Sequence, residues 1–359
     1  MKRAKKIMAV RWRCGSNSNC QWRKVNFLLE PKMKMNWSVK ISGMTIGVIL
    51  IAGIFMTSPA WGANKIIGPK QCSDSNCHKN VFDKLLFHPH ETFFNEKYEK
   101  EGTKIAEKMN VKDHFEDQKC IKCHGVEVAS TYPKVTEEEK GLFGIICETC
   151  HNPAEDWVEL HDKKGKVPEA VQKGMRDTRN FYAWSKDCFS CHRGAKEEYF
   201  KAGHRLGEKF DLVQYSQGDF KHWVWSKEDK ASGNLEDKLK IKTGKIWVAG
   251  EAFQVLFSTM RISEASGKGE YSEKNLDLLK KALANLQNVV KAIPAGNLDK
   301  LIAAALKVNA DPGSAKGVLE EIKTLTQAYV NEIDASPLPS AKFASFPIPV
   351  ESSYMRNKK

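Results

Sequence analysis

The chain of 359 residues carries 57 Lys and Arg against 44 Asp and Glu, a formal +13, with ten cysteines and ten histidines. Eleven of the basic residues and one acidic residue, Glu30, lie in residues 1–63; without that segment 46 basic residues face 43 acidic ones, a formal +3. The high overall charge therefore does not point to nucleic acid, and with strand signals almost absent the expected class is mainly α.

Residues 1–63 read as a leader. Met44–Met56 is an uncharged apolar run behind Lys32, Lys34 and Lys40, and small residues follow at Ala60, Gly62 and Ala63. That order is the signature of a secretory signal and predicts export to the periplasm or another extracytoplasmic compartment. Thirteen residues fall short of the roughly 20 a membrane span needs, so membrane contact is expected only if the leader stays uncleaved. Met33 and Met35 are alternative starts, and on this reading Cys14 and Cys20 are discarded.

Next come four cysteine pairs, each closed by a histidine, in the predicted domain 64–235. They are Cys72 and Cys77 with His78, Cys120 and Cys123 with His124, Cys147 and Cys150 with His151, and Cys188 and Cys191 with His192. The last three are C-x-x-C-H, the attachment signature of haem c. Residues three and four apart share a helical face, so two thiols reach one haem edge while the imidazole reaches the iron. In the first motif four residues separate the cysteines, and Ser73–Asn76, all turn formers, must loop outward. A zinc site would need two such pairs closing on one metal. Four covalent haems use all eight remaining cysteines and leave no disulfide to predict.

With four proximal histidines assigned, His88, His90, His114, His161, His204 and His222 remain for the opposite faces, and none occurs after His222. Six imidazoles suffice for bis-histidine ligation at every iron; Met109 and Met175 are alternative axial ligands. Between the motifs run Lys/Glu-rich helical stretches such as 95–109 and 137–146. Phe82, Phe87, Phe93, Phe94, Trp157, Phe181, Tyr182 and Trp184 are expected to pack on the macrocycles.

Residues 236–335 read as a helical bundle. The segment 246–262 is apolar. Ser272 is a plausible cap before a stripe of Leu276, Leu279, Leu283, Leu286 and Val290, which Pro294 and Gly296 end. Asn297 opens a helix with Leu298, Leu301, Ile302, Ala305 and Leu306, and Asp311-Pro312 starts one with Val318, Ile322, Leu325, Tyr329 and Ile333 on one face. Five aliphatic residues per stripe amount to on the order of 10 kcal/mol of burial. These faces must pack together, on the haem domain, or on another subunit, as in a homo-oligomer or larger complex. Residues 336–359, with Pro337, Pro339, Pro347 and Pro349, are expected to be extended.

Residues 71–222 resemble the cytochrome c-554 family of tetrahaem electron carriers associated with hydroxylamine oxidation. The likeness rests on Phe87-His88-Pro89-His90 after the first motif, on Gly144-Ile145-Ile146 before the third with His161 ten residues beyond it, and on His204 twelve residues after His192. The resemblance implies that His90, His161 and His204 are distal ligands to other haems, with His88, His114 and His222 in reserve, that haems stack in pairs, and that the haem of the second motif can be five-coordinate. The first motif's spacing and the long C-terminal extension depart from the family. The whole reading is a compact multihaem c-type cytochrome domain followed by a C-terminal α-helical bundle. It predicts an exported carrier moving electrons between redox protein partners in nitrogen-compound metabolism, with no nucleic acid partner. The alternatives are a haem enzyme reducing a small nitrogen species such as nitric oxide at an open iron, and a haem-bearing subunit docked through its C-terminal helices.

Overall fold

The structure is a computed structural model that describes residues 8–14, 20–26, 65–68, 71, 72, 78, 90, 96–114, 117–125, 144–177, 179–217 and 234–348. The apolar run 44–56, Cys77, His88, His222, Phe82, Phe87, Phe93, Phe94 and Pro349 lie outside the described residues, as does most of the stretch 137–146. The chain forms two compact units, Met1–Ala60 and Trp61–Lys359. In the first, β1 (Met8–Cys14) and β2 (Cys20–Asn26) pair antiparallel with Trp12 opposite Trp22. This hairpin was not expected from the sequence; valine and tryptophan are good strand formers and account for it.

The second unit is helical in every regular element described, which makes the fold mainly α. Its first part holds α1 (Glu96–Lys108), α2 (Gln118–His124), α3 (Cys147–His151), α4 (Val167–Gln172), α5 (Phe181–His192), α6 (Glu197–Lys201) and α7 (Leu212–Gln217). Five of these have seven residues or fewer, too short to be stable by themselves. Their stability must come from what they pack against.

A long helix, α8 (Leu235–Ser263), supplies much of that support. From Gly244 to Phe257 nearly every side chain is buried, including Ile246, Trp247, Val248, Phe253 and Leu256. A helix apolar all round belongs in the centre of its domain. Around it lie α9 (Glu270–Ala292), α10 (Gly296–Ala305), α11 (Pro312–Lys316) and α12 (Leu319–Ala335). Leu279, Leu283 and Leu286 of α9, Leu298 and Leu301 of α10, and Ile322, Tyr329 and Ile333 of α12 are buried in one core. Ser272 is three residues inside α9 instead of capping it: its Oγ accepts from the Gly269 N–H at 3.0 Å. Gly269, with extended backbone, takes the cap position.

That core crosses residue 235. Phe189 of α5 and Leu212 and Val213 of α7 are part of it, with Phe181, Tyr182 and Trp184 packed against it. These last three, expected on macrocycles, face the C-terminal helices. Phe189 stacks on Phe253 at 5.5 Å between ring centres, and Tyr182 lies 5.2 Å from Phe253. Residues 336–348 are not simply extended. A 3₁₀ turn at Ser340–Phe343 sends Phe343 and Phe346 into the core, because two phenylalanines carry too much apolar area to leave in water. Phe343 sits so close to α8 that a Cβ on Gly244 would come within 2.2 Å of its ring.

Phe253→Ala should remove a side chain that no solvent reaches and lower stability by about 3–5 kcal/mol. Denaturant titration followed by circular dichroism and by haem absorbance should show both signals shifting together. A haem signal that keeps its wild-type midpoint would mean the haem-motif region folds independently of α8.

Candidate metal centre

The three C-x-x-C-H motifs share one local design. Each occupies the end of a helix whose last residue is the histidine: His124 in α2, His151 in α3 and His192 in α5. The helical turn puts the two cysteines and the imidazole on one face, and the C-terminal position suits an electron-poor ring. Asp117 caps α2 by accepting from the Lys119 N–H at 2.8 Å, and Asn180 caps α5 by accepting from Ala183 at 3.0 Å. Asn152, at φ 68°, ends α3 directly after His151. Of the first motif, Cys72 and His78 are described.

Distant motifs meet through their thiols. Cys72 shares a hydrogen bond with Cys147, and Cys123 with Cys191. The first motif therefore lies beside the third and the second beside the fourth. In the pairs so formed, the bond raises the pKa of Cys72 and Cys123 and lowers that of Cys147 and Cys191.

The histidines meet in an equally specific way. His78 faces His161 with 6.2 Å between ring centres and 23° between planes. His192 faces His90 at 5.7 Å and 45°, and His124 faces His204 at 5.9 Å and 48°. Each pair joins a motif histidine to one of the downstream histidines. Two metal–nitrogen bonds of about 2 Å plus two ring radii of about 1 Å would set imidazoles opposed across one metal roughly 6 Å apart. Two further details suit a metal. His161 Nδ1 lies 2.6 Å from Val158 O, and His204 Nδ1 lies 2.6 Å from Arg205 O. A proton held on Nδ1 by a carbonyl leaves Nε2 as the lone-pair donor. Burial, reinforced by neighbouring imidazoles, lowers His124 to about 4 and His192 to about 3, which keeps both rings neutral at pH 7, as a ligand must be. These residues fit haem.

His114 lies against α1, where a Cβ on Gly102 would stand 3.2 Å from its ring. Cys77, His88 and His222 are outside the described residues. At the second motif, whose haem the family likeness allows to be five-coordinate, His204 is the histidine facing His124. Aromatic rings complete the surroundings: Phe210 lies parallel to His192 at 4.2 Å and 6°, Tyr215 meets that imidazole edge-on at 5.3 Å, and Trp157 meets His161 at 5.6 Å.

Two charged residues escaped the sequence reading. Glu148, within the third motif, is 2% exposed and accepts from Ile67 N at 3.0 Å, Gly68 N at 2.8 Å and Ala154 N at 2.7 Å. Burial pushes its carboxyl up, and the N–H donors pull against that shift. Arg193, the residue after His192, is 1% exposed. Both are charged residues inside or touching a motif, and position was the one signal available. Arg176 ties the third motif to the fourth: it pairs with Asp187 of α5 and donates to Asn152 Oδ1 at 2.8 Å.

Residues 71–152 match the family model described as Cytochrome c554 and c-prime. The cytochrome c-554 of Nitrosomonas europaea is 25% identical over 156 residues, which cover 37% of this chain and 63% of the relative. The chain thus spans less than two thirds of the length of that relative. No solved structure matches.

Glu148→Ala would strand three buried backbone N–H groups, a loss on the order of 3 kcal/mol. Glu148→Gln, which keeps one acceptor oxygen, should fall between. Amide hydrogen exchange at Ile67 and Gly68 reads the same latch directly: protection there should drop sharply in the alanine variant, and unchanged protection would remove Glu148 from this role.

Proposed function

We propose that this protein is an exported tetrahaem electron carrier working between redox protein partners in nitrogen-compound metabolism, a reading supported by the match of residues 71–152 to the Cytochrome c554 and c-prime family model and by the likeness to the cytochrome c-554 of Nitrosomonas europaea. The observation that carries the reading is the set of three imidazole pairs, each matching a motif histidine with a downstream one. Cys72 and Cys77, Cys120 and Cys123, Cys147 and Cys150, and Cys188 and Cys191 would form the thioethers; His78, His124, His151 and His192 would be proximal ligands. His161, His204 and His90 would be the distal ligands to the first, second and fourth irons.

Haem c supplies reversible one-electron chemistry at iron. The chain's own residues do the rest. At the first, second and fourth irons, two strong imidazole ligands would leave no position for a small molecule, and this supports a carrier over an enzyme that activates nitric oxide at the second motif. The short distances between the first and third motifs, and between the second and fourth, support two closely packed haem pairs along which electrons pass. The apolar stripes of α9, α10 and α12 are largely buried within this chain, except that Leu306, expected in the α10 stripe, ends that helix 60% exposed, so docking through them to a partner has little support. Among the described residues no helix is long and apolar enough to cross a membrane. The periplasmic location rests on the signal-like leader and on the family likeness.

Intact mass should give four haems on a chain starting near Ala63 or Asn64. The ferric protein should show a low-spin electron paramagnetic resonance signal for the haem of the second motif. His204→Ala should convert that one signal to high-spin and admit carbon monoxide to the reduced protein. A wild-type protein that already binds carbon monoxide at the second motif would retire the carrier reading in favour of an open, ligand-binding site.

A further inference from the structure

Directly after the fourth motif the chain buries a cation among neutral groups. The Arg193 guanidinium donates to Leu206 O through Nη1, and through Nη2 to Asn275 Oδ1 at 3.1 Å and Ser258 Oγ at 3.4 Å. The Gln254 amide oxygen, turned to the orientation its neighbours favour, accepts from Nε at 3.2 Å and from Nη2 at 3.1 Å. Ser258 and Gln254 belong to α8, and Asn275 to α9. Among the described residues no carboxylate bonds this guanidinium. Glu208 attracts it from an exposed position, and Arg261 repels it.

Such an arrangement is unfavourable in itself. A buried charge is normally paired with its opposite, because neutral hydrogen bonds only partly replace water. Burial lowers Arg193 to about 10, which still leaves it cationic at neutral pH. The segment beyond His192 is fixed from the same side: Arg261 Nη1 donates to Gly194 O at 3.1 Å and the Tyr271 hydroxyl donates to Ala195 O at 2.9 Å. Gly207, at φ +70°, packs so closely on the His192 carbonyl that a Cβ there would stand 1.8 Å from the oxygen. The C-terminal helices therefore grip three consecutive residues after the ligand, and the grip encloses one positive charge.

We propose that Arg193 is a positioning residue that raises the reduction potential of the iron held by His192, and that α8 and α9 serve this site by supplying the neutral cage that keeps the charge fixed. When a reduced redox-protein partner gives that iron one electron, ferric becomes ferrous, no bond is made or broken, and the net charge of the site falls by one. A fixed cation on the buried residue next to the ligand, poorly screened in a dry interior, favours the state of lower positive charge. The inference rests on the reading that Cys188, Cys191 and His192 hold a haem.

Potentiometric titration of the full-length haem protein tests it. Arg193→Gln should lower one of the resolved midpoint potentials and leave the others in place, while Arg193→Lys should keep most of the wild-type value. Asn275→Asp sets a carboxylate 3 Å from the guanidinium with almost no change of shape, and should lower the same potential even if Arg193→Gln fails to fold. Peptide mapping of Cys188–Cys191 separates the two levels of the argument. Without haem on that peptide the proposed function itself fails at this motif. With haem present, low-spin spectra intact and every potential unmoved in Asn275→Asp, Arg193 is only a structural brace and the inference is overturned.

Discussion

Three pairs of imidazoles from distant parts of the chain stand about 6 Å apart, the separation that two rings opposed across one metal would have. His78 and His161, His90 and His192, and His124 and His204 come from positions at least 80 residues apart in sequence. Side chains so distant meet at one spacing only if the segments between them are held firmly. The helices that carry the motif histidines have five, seven and twelve residues, and short helices do not provide that firmness alone. It comes from caps at their starts, from carbonyls that fix Nδ1 of His161 and His204, and from packing behind them.

The C-terminal helices supply much of this packing. Phe189, between the two cysteines of the fourth motif, is a core residue of the bundle, so the motif and the bundle share one interior. A resemblance confined to the haem-motif region gave no reason to expect this. The polar grip on residues 193–195 adds direction to the apolar contact. Apolar packing alone tolerates small rotations, whereas a guanidinium with four fixed acceptors does not. The extension is best understood as the back wall of the fourth motif.

Cofactor chemistry was the most legible part of the sequence, because C-x-x-C-H encodes its geometry in one helical turn. The downstream histidines His90, His161 and His204 were legible through spacing and likeness, but which motif each one faces was not, since pairing depends on long-range packing. The helices after Gly244 followed from periodicity. Their burial against Phe181, Tyr182 and Trp184 did not: an aromatic residue in a haem region looks the same whether it covers a macrocycle or a neighbouring helix. Ser272 was misread because a serine serves equally as cap or as third residue of a helix. Phe343 and Phe346 were hidden among prolines, whose signal of extended chain outweighed two aromatic rings. Glu148 and Arg193 violate the rule that charges stay outside, and it is at such exceptions that local patterns stop being informative.

The carboxylate of Glu148 receives the amides of Ile67 and Gly68 across 81 and 80 residues of chain. A polypeptide is made from its N-terminus, so residues 65–68 emerge long before their acceptor does. For that interval the future anchor is a loose end, and the segment leading into the first motif is not yet fastened to the third. Closure comes only once the third motif has arrived, and it fastens the beginning of the second unit to that motif. Contacts of such long range slow folding; here the delay leaves the beginning of the second unit unfastened until its third motif has been made.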